Sequence, residues 1–75
     1  VAMGKGEHHI TNSIRELRVH RGEMTQGELA ERTGMTRQTI NAIEGNKYSP
    51  SLEVAFRIAK VLGVPLTDVF RHGDE

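Results

Sequence analysis

Between Thr36 and Glu44 the chain sets Arg37, Gln38, Thr39, Asn41 and Ala42 around Ile40 and Ile43, with no acidic residue before Glu44 itself. These outer side chains share one chemical capability. Arginine bonds bidentately to guanine and glutamine or asparagine to adenine, while a threonine or alanine methyl can meet the thymine methyl. An ordinary solvated helix face mixes Glu and Lys at i, i+4 instead. The segment is therefore equipped to meet base edges in double-stranded DNA. Other chemistry finds no footing: no Ser/His/Asp or Cys/His set can be drawn and no Gly-rich phosphate loop occurs. The four histidines are scattered, with His20 at the end of a first helix and His72 in a C-terminal tail. His8 and His9 are adjacent, but a zinc site needs three or four ligands placed by a fold. Neither catalysis nor a metal, a cofactor or a small-molecule ligand is expected.

Such a face must be held by short elements, and five helices can be read from their punctuation. Thr11 or Asn12 caps a first helix running to about Arg21, with Ile10, Ile14 and Leu17 on one side and Gly22 as its stop. Thr25 caps the second, and Glu28 three residues later completes a capping box. Leu29 and Ala30 point inward on it, and Gly34 ends it. Thr36 launches the third helix, Arg37 to Glu44, with Ile40 and Ile43 inward. Gly45 and Asn46 follow, and Asn46 is expected to take the left-handed conformation. Ser51 opens a fourth helix to about Leu62, whose Leu52, Ala55, Phe56, Ile58, Ala59 and Leu62 cover a broad arc widened by Val54 and Val61. Gly63 and Pro65 precede a last turn or short helix, Leu66 to Phe70. No stretch sustains a period of two, so no sheet is predicted and the class is all-α.

The second and third helices satisfy the steric demands of a helix-turn-helix together. Ala30 is small where the helices cross, Gly34 tolerates positive φ in the turn, and Leu29, Met35, Ile40 and Ile43 plug the angle. On Ile14 to Arg18 (I-R-E-L-R), Thr25 to Ala30 (T-Q-x-E-L-A), the Gly34 turn, Thr36 to Glu44 (T-R-Q-T-I-N-x-I-E) and Lys47 to Leu52, the chain resembles the Cro-like, phage-repressor or XRE family of helix-turn-helix transcriptional regulators, in a compact single-domain form. The resemblance covers about Asn12 to Phe70. It implies a five-helix, lambda-repressor-like DNA-binding domain whose third helix lies in the major groove. It further implies that Gln26 contacts a phosphate and braces that helix, and that Thr36, Arg37, Gln38 and Thr39 stand at its exposed start. Asn41 and Ala42 match positions further along the groove, and Lys47 and Tyr48 a loop near phosphates. Family packing also brings Arg18 and Glu44 together as a structural pair. The turn Arg21 to Met24 is one residue longer than the family's usual one.

Composition bounds the partners. At 75 residues there is room for one domain. We expect a disordered tail over 1–10, the DNA-binding domain over 11–70 and a C-terminal tail over 71–75. Ten Lys plus Arg balance ten Asp plus Glu, which argues against nonspecific coating of nucleic acid but leaves specific binding open. There is no cysteine and no run near the ~18 apolar residues of a membrane helix, so a cytoplasmic setting without membrane contact is expected. Operator specificity from so small a module calls for a homodimer on a two-fold site, with Val54, Val61, Val69 and Phe70 as candidate mating residues. The neutral charge and these valines leave a second reading open: an antitoxin or regulatory module of the same fold whose main work is binding another protein.

Overall fold

The computed structural model describes residues 10–72; the expectations for His8 and His9 and for most of the N-terminal tail lie outside them. In chain order the elements are β1 (Ile10–Asn12), α1 (Ile14–His20), α2 (Gln26–Thr33), α3 (Arg37–Glu44), α4 (Leu52–Leu62), α5 (Leu66–Val69) and β2 (Phe70–His72). Five helices enclose a core of Ile14, Met24, Leu29, Ala30, Ile40, Ile43, Ile58, Ala59, Leu62 and Val69. Leu17, Met35, Val54, Val61, Val64, Leu66 and Phe70 pack against its rim. No helix among the described residues is long and apolar enough to cross a membrane.

Each boundary has a local cause. Thr25 and Glu28 form the reciprocal capping box at the start of α2, Thr36 Oγ1 accepts the Thr39 N–H at 3.1 Å, and Ser51 Oγ accepts the Val54 N–H at 3.2 Å. Three helices then end in the same way. Gly34 (φ 77°), Asn46 (φ 60°) and Gly63 (φ 75°) occupy the left-handed region. Behind them Met35 N–H donates to Ala30 O, Lys47 N–H to Ala42 O and Val64 N–H to Ala59 O, satisfying carbonyls the helix leaves open. Asn46 does for α3 what glycine does for α2 and α4, as its position after Gly45 implied.

Several expectations need correction. The five-helix reading holds, but the expectation of no sheet does not: a two-stranded antiparallel sheet sets Ile10 opposite His72, Thr11 opposite Arg71 and Asn12 opposite Phe70. Strands of three residues are too short for alternation to register. Ile10, Arg71 and His72, assigned to tails, belong to this sheet, and Phe70 leaves α5 to join it. Ile10 accordingly sits on no helix face and is 47% exposed. Of the two caps expected for the first helix, Asn12 rather than Thr11 acts, while Ser13 at the N-cap position makes no side-chain cap bond. Asn12 Oδ1 accepts the Ile14 N–H at 3.1 Å, an Asx-type turn that does the same work one residue early. The long turn after α1 is absorbed by two consecutive left-handed residues, Gly22 (φ 81°) and Glu23 (φ 60°), so that Met24 still reaches the core.

The candidate mating residues also shift. Val69 is fully buried and cannot meet a partner, and Val54, Val61 and Phe70 are half-buried against the core. The surplus apolar surface is carried instead by Leu52 (68% exposed) and Phe56 (54%), both expected to face inward. The fourth helix is thus rotated from its expected facing by the need to present Ala55, Ile58, Ala59 and Leu62 to α2 and α5.

Candidate nucleic-acid interface

The site is built on α3, an eight-residue helix anchored by Ile40 and Ile43, the buried residues on its inner face. With those two turned inward, helical geometry turns Arg37, Gln38 and Asn41 outward, and all three are exposed along with Thr36. Thr39 and Ala42 are half-exposed. Thr39 is tied to the cap, its hydroxyl 2.9 Å from that of Thr36. Gln38, Thr39, Ala42 and Tyr48 line one shallow hollow, so the loop after α3 folds back beside the outer face. Lys47 and Tyr48 are both exposed there. Of the residues expected to read or approach DNA, Gln38, Thr39, Ala42 and Tyr48 are thus brought together around one hollow, while Asn41 lies toward Gln26 in a separate groove.

Gln26, at the first position of α2, sits in a polar network. Arg18 grips Glu44 with two parallel bonds, Nε to Oε2 at 2.6 Å and Nη2 to Oε1 at 3.0 Å, and its Nη1 donates to the Met24 carbonyl at 2.8 Å. The side chains of the pair are only 12% and 10% exposed. The Gln26 amide nitrogen donates to Glu44 Oε1 at 3.0 Å and to Asn41 Oδ1 at 3.2 Å. Glu44, the one acid on α3, is thereby neutralised and turned toward α1 and α2 rather than outward. Both Gln26 amide hydrogens are spent inside the protein. Donors that an anion could still meet at this corner include the backbone N–H groups of Gln26 and Gly27, which an α-helix leaves without intrahelical partners, that of Glu28 being taken by the Thr25 cap.

Two residues escaped the sequence reading. Asn12 Nδ2 lies 3.0 Å from Ile43 O, 3.4 Å from Glu44 O and 3.1 Å from Asn46 Oδ1, and so fastens the C-terminal end of α3 to β1. No sequence signal could have revealed this, because the contact depends on the sheet. Arg15 is exposed and shares an open polar groove with Asn12, the exposed Glu16, Arg18, Gln26, Asn41 and Glu44. Its position three residues before Arg18, on an adjoining face of α1, was the available clue. It adds a cation beside the outer face of α3. Among the described residues no group of three or more metal-ligating side chains occurs.

Against known proteins, the helix-turn-helix family profile matches residues 14–69. An uncharacterized HTH-type transcriptional regulator of Methanocaldococcus jannaschii is 52% identical over 52 residues, which make up 69% of this chain and 79% of that protein. The transcriptional repressor RstR of the cryptic phage CTXphi from Vibrio cholerae is 37% identical over 60 residues, 80% of this chain and 53% of the repressor. Among solved structures, the hypothetical transcription factor NHTF from Neisseria superposes with a TM-score of 0.68 at 31% identity, covering 73% of this chain and 61% of that one.

Proposed function

Because the chain belongs to the Cro-like, XRE-type helix-turn-helix family of transcriptional regulators, we propose that it represses transcription by binding a two-fold operator as a homodimer, with α3 in the major groove. One observation carries this reading. The outer face of α3 is exposed and free of acid, and its single carboxylate is drawn away by Arg18 and Gln26. Arg37 and Gln38 then meet base edges, while Arg15, Lys47 and Tyr48 approach phosphates on either side, which position the helix without specifying sequence. The likeness to a phage repressor supports the direction of regulation.

The reading is tested by titrating duplexes selected from a random pool across a salt series. Binding should weaken steeply with salt and keep its sequence preference. Arg37→Ala and Gln38→Ala should each cost about 1–3 kcal/mol of specific binding and relax the preference at one base pair. Unchanged affinity and preference in both variants would remove α3 as the reading element.

Dimerisation is argued from specificity and from the apolar surface. A single recognition helix spans too few base pairs to select an operator among ~10⁶–10⁹ competing sites. Two copies on a two-fold axis would place their α3 helices about 34 Å apart, one turn of DNA. Leu52 and Phe56 on α4, with Ile10 on β1, are among the exposed large apolar side chains, which also include Val19 and Tyr48, and a second copy could cover them. Sedimentation at roughly tens of micromolar, a range that a marginal interface requires, should show a dimer, and two copies should bind each inverted-repeat duplex. Leu52→Glu together with Phe56→Glu should return the free protein to monomer. A wild-type monomer that saturates such a duplex at one copy would refute the arrangement.

A further inference from the structure

The network around Glu44 does more than hold α3 in place. Glu44 is paired side-on with Arg18, whose guanidinium stays charged, so its two oxygens can only accept hydrogen bonds. The Gln26 side chain that meets Glu44 Oε1 at 3.0 Å must therefore present its amide nitrogen there. That nitrogen has a second hydrogen, and it points at Asn41 3.2 Å away. Only the carbonyl oxygen of Asn41 can receive it, which leaves the Asn41 amino group outside this bond. Asn41 is exposed on the outer surface of the helix. A chain of fixed polarity thus runs from Arg18 through Glu44 and Gln26 to Asn41, and each link leaves the next one a single orientation.

We propose that Gln26 is a positioning residue that locks Asn41 as a hydrogen-bond donor, so that Asn41 selects a base edge rich in acceptors. This rests on α3 reading the major groove. An unrestrained asparagine can present its oxygen and nitrogen together and pairs best with adenine, which offers an acceptor and a donor. With its oxygen already engaged by Gln26, Asn41 favours guanine, whose N7 and O6 both accept, or the O4 of thymine, and disfavours the cytosine amino group. The preference at one base pair is thus set by a residue of α2 that need not touch that base.

The test compares the bound-sequence preferences of wild type, Gln26→Ala, Asn41→Ala and Asn41→Asp, using duplexes from a random pool. Wild type should prefer an acceptor edge at one base pair by about two- to tenfold, the range of a single hydrogen bond. Asn41→Ala identifies that pair by losing the preference there alone. Gln26→Ala should relax the same pair toward adenine while preferences at the others persist, a result that simple weakening of the fold would not give. Asn41→Asp keeps an acceptor for Gln26 but presents oxygen outward, and should shift that pair toward donor edges, cytosine or adenine. If wild type binds with preferences at other pairs, yet Gln26→Ala leaves the Asn41 pair unchanged or wild type favours adenine there, the lock is refuted and groove reading stands. If wild type shows no sequence preference at any pair, both fall.

Discussion

Arg18→Ala should lower the stability of the fold by about 3 kcal/mol, and Glu44→Ala by a comparable amount. The two side chains are about nine-tenths buried and joined by two bonds, so removing either leaves the other as an uncompensated charge with little access to water. Glu44 would keep Gln26 alone, and Arg18 would keep the Met24 carbonyl alone. In a domain this small each kcal/mol moves the melting temperature by about 4–8 °C, so the loss should exceed ten degrees. Replacing both partners with apolar residues, Arg18→Met with Glu44→Leu, should restore much of it, because no charge is then stranded. Thermal melts placing both single variants within about 0.5 kcal/mol of wild type, the range of ordinary surface changes, would contradict the pairing.

Ile40→Ala should be as damaging for a different reason. Ile40 is fully inaccessible, and with Ile43 it supplies the whole buried anchorage of α3. Truncation removes contacts and leaves a cavity, a combination that costs about 2–5 kcal/mol in well-packed cores. Its signature should separate it from the outer face. Ile40→Ala should melt early and, at temperatures where it is folded, still favour the same bases. Arg37→Ala should melt with wild type and lose a base preference. Calorimetry alongside duplex titration distinguishes them, and an Ile40→Ala melt matching wild type would show that α3 does not depend on this packing.

The parts of the molecule written in short-range patterns were legible in the sequence. Caps at Thr25, Thr36 and Ser51, the stops at Gly34, Asn46 and Gly63, and the inward pair Ile40 and Ile43 all follow from residues within a few positions of one another. The pairing of Arg18 with Glu44 needed the family's packing as a guide, and the structure has it. What escaped was what depends on distant partners. The sheet joins residues sixty positions apart and has no periodicity to announce it. The facing of α4 was misjudged because Leu52, Phe56, Val54 and Val61 are equally apolar, and only the positions of α2 and α5 decide which of them is covered. The Asn12 contacts inherit both difficulties. Of the expected reading surface, geometry brings Gln38, Thr39, Ala42 and Tyr48 together around one hollow and assigns the Gln26 amide to internal bonds.

The pairing of Ile10 with His72 means that nearly the whole domain is a loop closed by one short ladder. Closure entropy grows only logarithmically, about 0.6 kcal/mol for each doubling of loop length, so such a ladder is affordable once the helices have already brought its ends together. It follows that the strands are late to form and early to fray, because contacts distant in sequence are rewarded only after the intervening chain has condensed. Asn12 sits in that ladder and holds the last carbonyls of α3. Fraying at the strands therefore reaches the recognition helix directly: when the ladder opens, the C-terminal turn of α3 loses its tether while the helix-turn-helix core stays folded. Order at the reading surface is in this way linked to the least cooperative part of the fold, and hydrogen exchange at Asn46 and Lys47 would follow the opening of β1 more closely than global unfolding.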